Sequence, residues 1–257
     1  MNSNLKSKTS NNLKLITMDP IESKQNNTKK LNKPTIVLMT RWHATHRCKS
    51  RLSRDIGALK AAKIQEKLTN HTINVAREIQ EEGLADIKVA IDGIGSNAAK
   101  KWAQINKVKT IVIQGPGSLG TKMKRQFLKT RSEKTLSHQI QNPILLIGTD
   151  LPSISRFELN QAIEILNHKE MVLGPSNDGG YWLIGLSSKL LYPLCSWPFS
   201  GISWGTNKVL KETIQLASAN QIDYQLLQTK NDLDHIIDLS PWIDYKSFRI
   251  SASSYQL

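Results

Sequence analysis

Four strand-length apolar runs are each followed by a longer stretch with helical spacing. TIVLMT (35–40), DIKVAIDG (86–93), KTIVIQG (109–115) and PILLIGT (143–149) have the length and composition of buried strands. Between and after them lie GALKAAKIQEKLTNHTINVAREIQEEG (57–83), SNAAKKWAQIN (96–106), SLGTKMKRQFLKTRSEK (118–134) and SRFELNQAIEILNH (155–168). A parallel strand pair needs a long crossover, and a helix is the usual one. The alternation therefore predicts an α/β domain with a mostly parallel sheet flanked by helices. In such sheets, ligands bind beyond the carboxyl ends of the strands.

Local signals refine the elements. Leu59, Ile64, Leu68, Val75 and Ile79 make the expected buried face of the first long helix, and Gly83 its stop. Ser96 is the expected N-cap of the next helix. Ser155 with Glu158 three residues on spells a capping box. EMVLGP (170–175) and YWLIGL (181–186) read as strands around a turn. WGTNKVLKETIQLASANQ (204–221) reads as a helix and DYQLLQT (223–229) as a last strand.

Composition sets the domain limits. Residues 1–33 are rich in Asn, Lys, Ser and Thr, too polar to offset the entropy of ordering, so a disordered basic tail is expected there. A single domain over 34–240 and a C-terminal tail over 241–257 follow. The net charge is +14. Seven lysines against Asp19 and Glu22 in residues 1–34 place 7 − 2 = +5 of it near the N-terminus. No zinc-finger spacing, aromatic-rich RNA motif or Arg-rich run accompanies the charge, so no nucleic-acid partner is expected. No run approaches a membrane span of roughly 20 apolar residues. The start lacks the apolar stretch of a signal peptide, and the expected location is cytoplasmic. Cys48 and Cys195 have neither metal nor disulfide-framework spacing.

Chemistry concentrates at strand ends. The run ILLIG ends in Thr149, Asp150, Leu151 and Pro152. Proline stiffens the backbone behind the acid, which suits a ligand to a hard cation, although Asp150 could also cap the following helix. GPSNDGGYWLIG (174–185) sets Asp178 before Gly179 and Gly180, a hairpin signal that also permits close approach by a ligand. Tyr181 and Trp182 then form an aromatic wall or part of the core. QGPGSLGTKM (114–123) leads from a strand into a helix, where backbone amides can hold an anion. RWHATHRCKSRL (41–52) reads as a basic loop able to cradle a diphosphate. Its His43 and His46 are weaker candidates as metal ligands. In NDLDHIIDL (231–239), Asp232 and Asp234 offer a second metal ligand or a helix cap.

KSRL, QGPGSLGTKM, LLIGTDLPSI, VLGPSNDGGYWLIGL, FSGISWGTNKVLKET and NDLDHIIDL, in that order, resemble the rSAM/selenodomain-associated transferase family. That group of small glycosyltransferase-like proteins includes enzymes assigned to arsenosugar biosynthesis. The resemblance covers roughly residues 35–240. It implies a GT-A-like, nucleotide-diphospho-sugar transferase fold. It implies Asp150 as ligand to Mg²⁺ or Mn²⁺, and of the two acids in NDLDHIIDL, Asp234 is taken as the expected second ligand. It places Lys49 and Arg51 near donor phosphates, and Gln114, Gly117, Leu119 and Gly120 near the nucleotide. Asp178 becomes the candidate catalytic base, with Gly179, Gly180 and Tyr181 beside it in the sugar or acceptor pocket. One departure stands out: HATH (43–46) replaces a Pro-x-Pro-Gly turn, and His46 takes the glycine's place.

The expected activity is metal-dependent glycosyl transfer from a nucleotide-sugar donor to a small-molecule acceptor. Guanylyltransferases share the fold and an acid closely followed by proline, so nucleotidyl transfer from a nucleoside triphosphate is the alternative. The HATH departure raises a third reading, a catalytically silent nucleotide-binding protein. Nothing in the residues sets the oligomeric state.

Overall fold

The computed structural model describes residues 33–136, 142–191 and 200–242. The expected tails, 1–33 and 241–257, fall almost wholly outside these residues, as does Cys195.

Seven strands form one sheet in the order β3-β2-β1-β4-β6-β5-β7. They are β1 (Thr35–Arg41), β2 (Asp86–Asp92), β3 (Ile111–Ile113), β4 (Ile144–Gly148), β5 (Met171–Pro175), β6 (Tyr181–Leu186) and β7 (Tyr224–Leu226). All pairings are parallel except those of β6, which runs against both β4 and β5. The helices are α1 (Ser50–Ile56), α2 (Ala58–Glu81), α3 (Ser96–Ile105), α4 (Leu119–Leu136), α5 (Arg156–Ile165), α6 (Ser188–Leu191) and α7 (Val209–Ala219). A 3₁₀ segment over Ile236–Trp242 ends the described chain. Among the described residues, no helix is long and apolar enough to cross a membrane.

The strand alternation sorts side chains to two cores. Ile36 and Leu38 of β1, with Leu145 and Ile147 of β4, face α2, α3 and α5. Val37, Leu146 and Ile184 face Met123 and Phe127 of α4 and Val209 and Ala217 of α7. Both faces are covered, which is why these strands are apolar throughout rather than at every second position. Each fully buried leucine or isoleucine contributes about 1.5–3 kcal/mol relative to exposure.

Several local expectations are met. Gly83 takes φ 76° after α2, where a side chain would be strained. The capping box at Ser155 and Glu158 is complete. Others are corrected. Leu59 is 57% exposed, because it sits on the outward side of the first turn of α2. Gly95, not Ser96, precedes the first turn of α3, and no side chain caps it. The basic loop is interrupted by α1. Residues 204–208 are turns rather than helix, and α7 begins only at Val209.

The topology locates the cleft. From β1 the chain steps outward through β2 to β3, then returns to place β4 on the other side of β1. The carboxyl ends of β1 and β4 therefore meet at a switch point, with Arg41 ending one strand and Asp150 following the other.

Candidate active site

A cavity of about 1070 Å³ opens at that switch point. It brings together Lys49, Arg51, Gln114, Gly117, Leu119, Asp150, Asp178, Gly180, Tyr181 and Asp234, ten of the residues named from the sequence.

Its floor is a neutral network. Thr149 Oγ1 donates to Thr40 Oγ1 at 3.0 Å, and Thr40 and Thr69 hydroxyls share a bond of 2.9 Å. Gln65 Nε2 reaches Thr69 and Thr149 hydroxyls at 3.4 Å. All four side chains are buried. They link α2 to the last residues of β1 and to the residue before Asp150.

Above the floor lies a charged network. Asp150 follows β4, and its carbonyl accepts from Leu233 N at 3.0 Å, which draws the 231–234 segment alongside. Lys49 Nζ lies 2.7 Å from Asp150 Oδ1 and 3.3 Å from Asp234 Oδ1, with its side chain only 2% exposed. Arg51 Nη1 meets Asp234 Oδ2 at 3.0 Å. Burial alone would lower the Lys49 pKa, but the Asp150 and Asp234 carboxylates more than offset it and hold the ammonium above the usual lysine value. Asp232 responds oppositely. Burial first, then the neighbouring Asp150 and Asp178 charges, push its carboxyl up to about 7. Asp150 does not cap α5, where Ser155 is the cap, and the Asp234 oxygens pair with Lys49 and Arg51 rather than capping the terminal 3₁₀ segment. Asp238 does so, accepting from Asp234 N and His235 N.

The loop after β3 is held from behind. Gln114 spends both amide hydrogens on carbonyls, to Thr40 at 3.0 Å and Ala90 at 2.9 Å. Arg125 donates to the carbonyls of Gln114 and Pro116 at 2.6 and 2.9 Å. Gly115 and Gly117 adopt φ 80° and 112°, and a Cβ on Gly115 would sit 2.9 Å from the Arg125 guanidinium. Lys122, one turn into α4, reaches into the cavity and pairs with Asp92 at 2.7 Å.

The β5–β6 hairpin contributes Asp178, Gly180 and Tyr181 to the cavity. Asp178 Oδ1 accepts from Ser176 Oγ at 2.6 Å and Gly180 N at 2.9 Å, closing the turn. Its Oδ2 takes no hydrogen bond from a described residue. Tyr181 and Trp182 both line the cavity, and Trp182 is also part of the core, its indole lying over Gly174.

Gly120 and Gly179 do not line the cavity. A Cβ on Gly120 would fall 2.2 Å from the Trp204 indole, and one on Gly179 would fall 2.2 Å from the Asn207 carbonyl oxygen. Their role is to admit the 204–207 segment, which the sequence reading took for helix. Trp204, Thr206 and Asn207 line the cavity as a result, and Trp204 meets Tyr181 edge to face at 6.5 Å. Arg41 and Arg47 of the expected basic loop line it too, and so does Lys122, which the sequence did not single out. Gly201 and Gly205, both at φ 82°, were the available signal that 204–208 turns.

Among the described residues, neither histidine joins a group of three metal-ligating side chains. His43 stacks on Trp42 and pairs with Glu66 at 3.5 Å. His46 lines the cavity with φ 65°, the left-handed conformation a glycine takes freely. The HATH departure thus changes a side chain while keeping a glycine-like backbone.

Among the described residues, no three His, Cys, Asp or Glu side chains converge closely enough to hold a metal alone. Asp150 and Asp234 do converge on one cation, the Lys49 ammonium. Two carboxylates completed by substrate phosphates and water are a common Mg²⁺ donor set, so the pair fits a substrate-completed site.

The profile of DUF2064, described as uncharacterized proteins conserved in bacteria, matches residues 75–206. The chain belongs to the DUF2064 family. It is 31% identical over 149 residues to the 2-phospho-L-lactate guanylyltransferase of Methanocaldococcus vulcanius, covering 53% of this chain and 67% of that one. Its fold is that of a nucleotide-diphospho-sugar transferase from Desulfovibrio desulfuricans G20, so assigned, with TM-score 0.67, 22% identity and coverage of 87% and 90%. A nucleotidyl transferase from Methanothermobacter thermautotroptrophicus gives TM-score 0.50 at 12% identity, over 82% and 96% of the two chains. The GT-A-like fold is therefore shared with transferases of nucleotidyl and nucleotide-sugar groups.

Proposed function

We propose that this DUF2064 protein transfers a sugar from a nucleotide-sugar donor to a small-molecule acceptor, with Mg²⁺ or Mn²⁺. The observation that carries the reading is the division of one cavity into two chemically different walls. One wall has the Lys49–Asp150–Asp234 cluster with Arg51, Arg41 and Arg47, suited to a diphosphate. The other has Asp178, Tyr181 and Trp204, suited to a sugar and its acceptor.

The chain's own groups divide the work. Gln114, Gly117 and Leu119 seat the nucleoside against a loop that Arg125 keeps rigid. The basic loop neutralises the phosphates, and its cations also stabilise the charge of the departing diphosphate. Asp178, anchored through one oxygen, keeps the other for an acceptor hydroxyl proton. Asp150 and Asp234 would hold the metal, which would add Lewis-acid stabilisation of that same charge.

The identity to a guanylyltransferase favours a second reading, nucleotidyl transfer from a triphosphate to a phosphorylated acceptor. The same basic wall would then meet the departing pyrophosphate. A thermal-shift panel separates the two, running nucleotide sugars against nucleoside triphosphates with and without Mn²⁺. A ligand at a hundred times its dissociation constant adds about 2.7 kcal/mol, a shift of several degrees. Metal-dependent stabilisation by one nucleotide sugar supports glycosyl transfer. Stabilisation by a triphosphate alone replaces it with nucleotidyl transfer.

A further inference from the structure

The cation that Asp150 and Asp234 share is supplied by the chain itself. Lys49 stands in a left-handed conformation, φ 48° and ψ 49°, directly ahead of α1. Such a backbone is costly for a lysine and persists where surrounding contacts dictate it. Its ammonium pairs with two carboxylates 101 and 185 positions along the chain (150 − 49 and 234 − 49), which the Leu233 N–Asp150 O hydrogen bond sets side by side. Asp232 lies within reach of the charges of Asp150, Asp178 and Asp234, and Lys49 and Arg51 pair with Asp150 and Asp234.

We propose that Lys49 is a resident counter-ion that keeps a divalent cation off Asp150 and Asp234 until nucleotide phosphates draw the ammonium away. This rests on the metal-dependent reading above. A divalent cation and an ammonium repel strongly on one carboxylate oxygen unless an anion joins them. The donor phosphates are that anion. Lysine's flexible four-carbon stem lets its head group move from carboxylate to phosphate without unseating α1. Metal and nucleotide then enter as one coupled event, and linkage makes the coupling reciprocal. A metal-loaded but empty site is thereby avoided.

The test is Mn²⁺ binding to the full chain without nucleotide, read by the electron paramagnetic resonance of free Mn²⁺. The unaltered protein should bind weakly, and Lys49→Gln about tenfold or more tightly, within the usual range of such couplings. Lys122→Gln removes a charge from the same cavity but from a pair with Asp92, and should change Mn²⁺ affinity far less. Equal or weaker Mn²⁺ binding by Lys49→Gln overturns the proposal. Failure of every form to bind Mn²⁺, even with pyrophosphate present, overturns the metal reading itself and the proposal with it. Should Lys49→Gln not fold, the ¹⁵N signal of the Lys49 ammonium in the unaltered protein decides. Mg²⁺ alone should leave it in place and Mg²⁺ with pyrophosphate should shift it. A shift by Mg²⁺ alone overturns the proposal.

Discussion

Two polar networks lie one above the other at the end of β4, and they are built on opposite principles. The lower one, Thr40, Thr69, Thr149 and Gln65, is neutral, buried and satisfied within itself. The upper one, Lys49, Asp150, Asp232 and Asp234, is charged and has more acids than cations. A self-satisfied network has no call on a ligand and serves to fix geometry. An unbalanced one is stable only at some cost, and a ligand of the right charge lowers that cost. Adjacent residues, Thr149 and Asp150, belong to different networks, so the chain separates holding from binding within a single peptide unit.

Breaking the upper network should give the largest effect. Asp150→Asn is expected to weaken metal-dependent donor binding by about a hundredfold, the scale of losing a charged hydrogen-bonded partner. Its thermal midpoint should stay close to that of the unaltered chain. Titration calorimetry with donor and Mn²⁺ checks the first claim, and unchanged donor affinity would remove Asp150 from the site.

The imbalance itself has a pH signature. The folded pKa of Asp232, about 7, lies above its ordinary value. The folded state therefore binds that proton more tightly than the unfolded chain does. The resulting stability is fully present below the unfolded carboxylate pKa, about 4, and is lost as pH rises through about 7. Ligand-free protein should melt several degrees higher at pH 5 than at pH 8, and Asp232→Asn should flatten the difference. Equal slopes for the two proteins would refute the assignment.

The lower network should answer in stability alone. Thr149→Val leaves Thr40 and Gln65 short of a partner and is expected to cost about 1–3 kcal/mol in urea unfolding. Donor affinity should move by less than threefold, about 0.65 kcal/mol. A large affinity loss would mean that the two networks are not separable.

The smallest effect is expected at the rim. His46→Gly relieves a left-handed backbone and should add about 1 kcal/mol, offset in part by the entropy glycine gains when unfolded. A lower thermal midpoint would show that the imidazole makes a stabilising contact.

The sequence made the sheet legible because buried parallel strands are apolar on both faces, and β1 and β4 stand out as such. It also placed Asp150, since a polar residue at the end of such a strand has few structural uses. It could not pair Lys49 with Asp234, because 185 intervening positions carry no local periodicity. The helix assigned from Trp204 failed for a related reason. WGTNK holds weak helix formers, with Gly205 at φ 82°, and Gly120 and Gly179 admit it as cavity wall. Leu59 was misassigned because one turn of helix can point outward without breaking the pattern of the rest.

Gly120 under the Trp204 indole has a consequence for descent. With 2.2 Å between a would-be Cβ and the ring, residue 120 cannot gain a side chain while the indole keeps its place. A lineage that enlarges residue 120 must shrink or move residue 204 in the same step or soon after, and in doing so it reshapes the wall that the proposed function gives to the acceptor. The two positions form a single heritable unit, and a change of acceptor among relatives should be written there as a paired substitution.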